Sequence, residues 1–259
     1  MTTDLAFVDV RSIIAKLADL ERDLVLVGGQ AVNFWASFYE RRVPELAREA
    51  PFTSKDIDFC GDQRAVRVCA QRLGGTARVA TFDDATPNSG TVVFVDAAGI
   101  TRTLDMLSAP FGLDAAEVHA TALPAEILDD AGVSTGVSFY VMHPVLCMES
   151  RVHNVAGLPA YYDTEQGRKQ LRASILFARD VLEGRIEAED AVRTVMKLNE
   201  RIFRFCTRAR HAKDLYRASG VDPVLAIVDD ERLPAAFREK RLPQMRALLA
   251  ARERVPPGH

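Results

Sequence analysis

The segment Ser54-Lys55-Asp56-Ile57-Asp58-Phe59 constrains this chain more than any other. It alternates polar and apolar residues with the period of a β-strand, in which residues two apart point to the same face. Asp56 and Asp58 therefore project side by side, while Ile57 and Phe59 turn to the opposite face and anchor the strand in a sheet. Two neighbouring carboxylates repel each other unless a cation lies between them. Magnesium suits such a pair, because it takes one or two carboxylates and completes its shell with phosphate oxygens and water. The other reading of the pair is an exposed strand carrying two solvated acids.

Two further features flank this segment in the chain. Upstream, Leu24-Val25-Leu26-Val27 reads as a short buried strand, ended by Gly28-Gly29 and followed by helical spacing from Gln30 to Tyr39. Glycines between a strand and a helix let backbone approach a phosphate, and the helix N-terminus offers free N–H groups. Geometry alone also accounts for glycine at many such turns. Downstream, Thr101–Leu107 reads as a strand with Leu104 and Met106 on one face and Asp105 on the other, beside Thr103 and Leu107. A carboxylate there could complete a metal site or accept a proton from an attacking hydroxyl.

The rest of the chain divides by texture. An amphipathic helix is expected over Leu5–Leu20, a helix over Gln63–Leu73 stopped by Gly74-Gly75, and strands over 77–81, 91–95 and 137–141, with a hairpin turn at Ala97-Ala98-Gly99. Residues 41–53 are polar, contain two prolines and read as a loop. After His143-Pro144 nearly everything has helical periodicity, with helices expected near 145–156, 165–183, 188–208, 210–219 and 235–252. The expected fold is α+β: a mixed sheet with flanking helices over residues 1–143, an all-helical domain over 144–254, and a frayed tail, Val-Pro-Pro-Gly-His, over 255–259.

Charge follows the same division. From Pro144 onward 21 Lys and Arg stand against 16 Asp and Glu, a net of +5; before it 12 stand against 20, a net of −8. An acidic front and a basic back fit a metal-binding part joined to one that handles an anion, or a random scatter of surface charge. The N-terminus carries acids early and does not read as a signal peptide, and no run approaches the roughly 20 apolar residues of a membrane span. Cys60, Cys69, Cys147 and Cys206 are widely spaced with no C-x-x-C pair, so a reducing cytoplasm is the expected setting. His143, His153 and His211 lack metal-ligand spacing and read as structural.

Taken in order, VGGQAV, TSKDIDF and the later Asp105 resemble the nucleotidyltransferase superfamily of the DNA polymerase β type. The resemblance leans toward the branch of minimal nucleotidyltransferases and AbiEii-like toxins of type IV toxin–antitoxin systems, and covers roughly residues 20 to 110. It implies transfer of a nucleoside monophosphate from a nucleoside triphosphate to an acceptor, with magnesium as cofactor. Asp56 and Asp58 would bind the metal, and Asp105 would share a second one or act as base. Gly28, Gly29 and Ser54 would hold the β- and γ-phosphates. The spacing from Gly29 to Asp56 is longer than usual for the family, the excess falling in 41–53, where added length costs little. Phe52 stands where related toxins often carry an arginine, which leaves Lys55 or Arg102 as substitutes. Arg151 stands on the first helix after the sheet, a helix that a lysine often begins in the family; Lys169 is a weaker candidate for a phosphate contact.

One helix of the basic part bears on the acceptor. Arg193, Lys197, Arg201, Arg204 and Arg208 are spaced so that they fall within an arc roughly 80° wide, with Val192, Val195, Met196, Ile202, Phe203 and Cys206 opposite. Glu200 is the only acid between Arg193 and Lys213. The stripe could grip the phosphates of a nucleic acid or the pyrophosphate of the donor, or be a solvated face. The stripe and the toxin resemblance together lean toward an RNA acceptor such as tRNA, with an antitoxin protein as a further partner and no membrane. A small-molecule acceptor, as in antibiotic-modifying enzymes, is the enzymatic alternative. An inactive fold that only binds nucleotide or protein is the alternative from another class.

Overall fold

The computed structural model describes residues 4–84, 86–129, 131–161, 164–186 and 191–253. The strands are β1 (Leu5–Ala6), β2 (Val25–Leu26), β3 (Thr53–Ser54), β4 (Ile57–Cys60), β5 (Thr76–Val79), β6 (Asn88–Val95), β7 (Thr101–Leu107), β8 (Leu123–Leu128) and β9 (Ser134–Val141). The α-helices are α1 (Phe7–Leu17), α2 (Gly28–Tyr39), α3 (Pro44–Glu49), α4 (Gln63–Leu73), α5 (Ala115–Thr121), α6 (Pro144–Gly157), α7 (Glu165–Arg185), α8 (Val192–Arg208), α9 (Arg210–Ser219) and α10 (Leu242–Glu253).

Seven strands form one mixed sheet in the order β5-β6-β7-β4-β2-β9-β8, and β1 pairs with β3 in a separate ribbon. The central pair β4–β7 is parallel, as is β2–β9, while β2–β4 is antiparallel. The expected mixed sheet is therefore present, with helices before, within and after it. Ile57, Phe59, Leu104 and Met106 are all buried, so the alternation in the sequence did identify the core-facing side of the two central strands. The hairpin expected at 97–99 is closed by Asp96, whose carboxylate accepts the N–H groups of Ala98 and Ile100.

From Pro144 onward the described residues are helical or irregular. The change of texture at 143/144 is a change of architecture without a break in the core: Leu26, Ile57 and Leu104 belong to the same buried cluster as Leu146, Leu171, Phe177 and Phe203. Helix α7 packs against α2, α3 and α6, which lays the helical part directly on the helix that follows Gly28-Gly29. Among the described residues, no helix is long and apolar enough to cross a membrane. All four cysteines are buried and unbridged.

Several elements differ from expectation for identifiable reasons. The loop at 41–53 contains α3, which starts on Pro44 and buries only Leu46; one anchor gives no periodic signal. Helix α5, capped by Asp114, likewise buries only Val118, and the edge strand β8 is mostly solvent-facing. Both were missed. The helix expected over 235–252 is a π-helical turn, Phe237–Arg241, running into α10. The expected start of a helix at 188 and the tail 255–259 lie outside the described residues.

Candidate active site

Parallel pairing places the carboxylates. In the β4–β7 register Asp58 lies opposite Asp105, and Ile57 lies opposite Leu104. Residues paired in register share a face, so the apolar pair goes into the core and the acidic pair to the other side. Both aspartates are partly buried. Asp56 lies on the bend just before β4 and is exposed, so the strand begins one residue later than the sequence pattern suggests.

The glycine turn is shaped by what it meets. Gly28 has φ +61°, and a Cβ there would stand 2.0 Å from Asp58 Oδ2. A Cβ on Gly29 would stand 2.4 Å from Ser54 Oγ. Any larger residue at either position collides with the carboxylate or the serine. Val27 N–H donates to the Asp58 carbonyl at 3.0 Å, which ties the turn to β4. The Gly29 N–H donates to the Asp58 carboxylate, so the donor group at the start of α2 is already turned toward the acidic cluster.

The cluster is electrostatically uncompensated. Burial, and then the neighbouring Asp105, push the Asp58 carboxyl up to about 7, with Asp56 adding to the rise and Arg151 and the Gly29 N–H working against it. Burial and then Asp56 also raise Asp105 above the usual carboxylate range. Among the described residues, no three His, Cys, Asp or Glu side chains form a ready-made metal cage. A magnesium ion does not require one, since a pair of carboxylates with substrate oxygens and water suffices.

Arg151 is brought to this cluster, almost fully buried at 3 % exposure. Its Nη1 donates to Gln170 Oε1 at 3.0 Å, and its guanidinium lies 5.7 Å from the centroid of the Tyr161 ring. Tyr161 is itself influenced by Asp58, Asp56 and Asp105, which raise its phenol further after burial, while Arg151 opposes them. Lys169 donates to the Pro51 carbonyl at 2.7 Å and covers the buried Phe52 ring at 5.1 Å. Lys55 is exposed. Arg102 is not at the site: it is three residues from Asp105 on the same strand, hence on the opposite face, and donates to Asp96 at 2.8 Å.

Gln170 and Tyr161 were not anticipated. Gln170 did carry a signal, because it falls on the buried stripe of α7 with Gly167, Leu171 and Ser174, where a polar residue needs partners. Tyr161 lies in a turn between helices, where no periodicity marks it.

The basic stripe on α8 divides. Arg193, Lys197, Arg204 and Arg208 are exposed. Lys197, Arg201, Arg204 and Arg208 line an open groove of about 560 Å³ with Glu149 and Phe205. Arg201 instead donates to both Glu117 and Glu149, the latter almost fully buried, and so is committed to two carboxylates rather than to a ligand. Glu149 and Arg151 are two positions apart on α6, about 200° around the helix. Arg201 thus meets α6 on a different side from Arg151.

The histidines make local contacts. His143 Nδ1 accepts the Val145 N–H at 3.2 Å and caps α6; burial pushes its imidazole down to about 3. His153 and His211 meet Nδ1 to Nδ1 at 2.8 Å between α6 and α9.

No family model matches this chain, and no curated protein matches it. Among solved structures it is similar to an antigenic nucleotidyltransferase-like protein from Paracoccidioides brasiliensis, at 10 % identity and a TM-score of 0.42, over 68 % of this chain and 78 % of that one. It is also similar to the Megavirus polyadenylate synthase, at 12 % identity and a TM-score of 0.38, over 84 % of this chain and 51 % of that one.

Proposed function

We propose that this chain is a nucleotidyltransferase that moves a nucleoside monophosphate from a nucleoside triphosphate to an acceptor hydroxyl, and that the acceptor is an RNA such as tRNA. The observation that carries the reading is the in-register pair Asp58 and Asp105 beneath Gly28-Gly29, with buried Arg151 beside them. Like charges held together in a partly buried place destabilise the fold, and they are kept where a cationic ligand or a reaction uses them.

The donor set fits magnesium: oxygen ligands only, mutually repelling, and open on one side because Asp56 is exposed. Asp58 and Asp105, with Asp56 at the rim, would hold it. Bound there, it would neutralise triphosphate oxygens and carboxylates together. The chain's own residues do the rest. Arg151 and the Ser54 hydroxyl bind the phosphate tail, and the glycines leave room for it. Asp105, the in-register partner of Asp58, accepts the proton of the acceptor hydroxyl as that oxygen bonds to the α-phosphorus. The bond from the α-phosphorus to the bridging oxygen breaks, and pyrophosphate leaves. Catalysis of this kind is mostly positioning and charge neutralisation.

The exposed cations Arg193, Lys197, Arg204 and Arg208 favour a polyanionic acceptor over a small one, because a row of cations on one helix face matches a row of phosphates. On the toxin reading, an antitoxin protein is the partner, and its co-expression would suppress labelling. The test is transfer of α-label from each nucleoside triphosphate, with magnesium, to total RNA and separately to small hydroxylated acceptors. Label on RNA that disappears in the Asp56→Ala/Asp58→Ala variant supports the reading. Label on small acceptors alone moves the chain to the small-molecule class. Label on neither, with no magnesium-dependent triphosphate binding, leaves a fold without this chemistry.

A further inference from the structure

Outside the carboxylates, one buried polar side chain reaches the site with both of its ends. Gln170 is 3 % exposed on α7. Its Oε1 accepts the Arg151 Nη1–H at 3.0 Å, and its Nε2 donates to the Thr53 carbonyl at 3.3 Å. The same Nε2 lies 3.0 Å from where a Cβ on Gly29 would stand. One amide therefore bonds α6 through Arg151 and β3 through the residue before Ser54, and it lies over the start of α2 at Gly29. Gln166, one turn earlier on α7, also donates to the Thr53 carbonyl. Among the described residues the buried Nε of Arg151 has no hydrogen-bond partner. A buried donor left without a partner costs free energy, and a buried guanidinium with one is suited to an incoming anion.

We propose that Gln170 is a positioning residue for the phosphate end of the donor, orienting Arg151 by one N–H while leaving its charge and its Nε–H for the anion. The proposal deepens the nucleotidyl-transfer reading and rests on it. The amide is the group that does this. A glutamate at 170 would pair ionically with Arg151 and neutralise it, and would set a carboxylate against the Thr53 carbonyl. A methionine of similar length would leave the guanidinium free to turn and would release the Ser54 strand at one of its two α7 contacts. Only a neutral group that both donates and accepts holds the cation and the strand together without using up the positive charge.

Binding of tripolyphosphate and of magnesium-ATP is measured by calorimetry on wild type, Gln170→Glu, Gln170→Met, Arg151→Met and the 170/151 double methionine variant. Steady-state kcat and KM for transfer are read alongside. Loss of one charge-assisted contact weakens binding by about tenfold, so Gln170→Glu is expected to bind tripolyphosphate about tenfold less tightly, with a higher KM and a melting temperature near that of wild type. In the double variant the Gln170→Met loss is expected to shrink, because there is no guanidinium left to orient. Should Gln170→Met not fold, the glutamate variant decides alone. Unchanged tripolyphosphate affinity in Gln170→Glu, or losses at 151 and 170 that simply multiply, overturns the positioning role while transfer by wild type still stands. Wild type that binds neither tripolyphosphate nor any magnesium–nucleoside triphosphate overturns both this role and the functional reading.

Discussion

The two charged regions of this molecule handle like charge in opposite ways. On the sheet, Asp58 and Asp105 are partly buried, in register, and raised in proton affinity by burial and by one another's company or that of Asp56. On α8, the cations that crowd one face are exposed, and the one that is partly buried, Arg201, is paired with two carboxylates. Charge at a solvated surface costs little and so says little about purpose. Charge withdrawn from water is either balanced, as at Arg201, or left unbalanced, as at Asp58. The unbalanced case is the one that calls for a ligand.

The contrast breaks most visibly at Arg201. Replacing it with methionine strands Glu149, which is almost fully buried, and removes one side of a three-group network joining α5, α6 and α8. Breaking one partner of a buried pair costs about 3–5 kcal/mol, which for a chain of this size lowers the melting temperature by about 10 °C. Arg204→Met, three residues along the same stripe, is expected to leave it nearly unchanged. Calorimetric melting of the two variants side by side checks this; equal melting temperatures would mean that Arg201 is as solvated as its neighbours.

Asp58 gives the opposite sign. Its folded-state proton affinity is raised, to about 7 against the usual 3.8. Between about pH 4 and pH 7 the folded chain keeps a proton that the unfolded chain has lost, so stability from this group falls as pH rises through that window. Asp58→Asn removes the penalty. The metal-free variant is expected to be more stable than wild type by up to about 4 kcal/mol at pH 8 and by nothing at pH 4. Urea unfolding at the two pH values measures the difference. Added magnesium is expected to narrow the gap at pH 8, since it stabilises only the carboxylate form. A variant less stable than wild type at pH 8 would show that the carboxylate is already balanced.

How much of this could be read from the sequence follows from the range of the forces. The period-two pattern around Ile57 and Phe59 located a core strand, because alternation reports burial locally. Gly28-Gly29 marked the turn, although its tightest reason, the approach of the Asp58 and Ser54 side chains, is a contact across about thirty residues of chain that no local pattern encodes. The spacing on α8 found the stripe but could not tell Arg201 from Arg204. That distinction is made by Glu117 and Glu149, which reach α8 only after α5 and α6 have packed. Gln170 was visible as a polar residue in an apolar stripe, whereas its partners Arg151 and Thr53 were not. Elements with one buried anchor, α3 and α5, stayed hidden because a single apolar residue has no period.

The smallest effect sharpens the comparison from its solvated side. Arg193, Lys197, Arg204 and Arg208 are exposed, so changing all four to glutamine should shift the melting temperature by no more than about 2 °C. If they grip RNA, the cost appears in binding alone. Each neutralised phosphate contact contributes about 0.7 to the slope of log affinity against log salt for a single strand, so losing four lowers that slope by nearly 3. Magnesium–nucleoside triphosphate affinity should not move, because Arg151 and the carboxylates are left as they are. RNA binding followed by fluorescence anisotropy across a salt series separates the outcomes. A slope that survives the fourfold change makes the stripe an ordinary wet helix face and places the acceptor elsewhere. A slope that falls with triphosphate affinity intact makes donor and acceptor binding two separable functions of this chain.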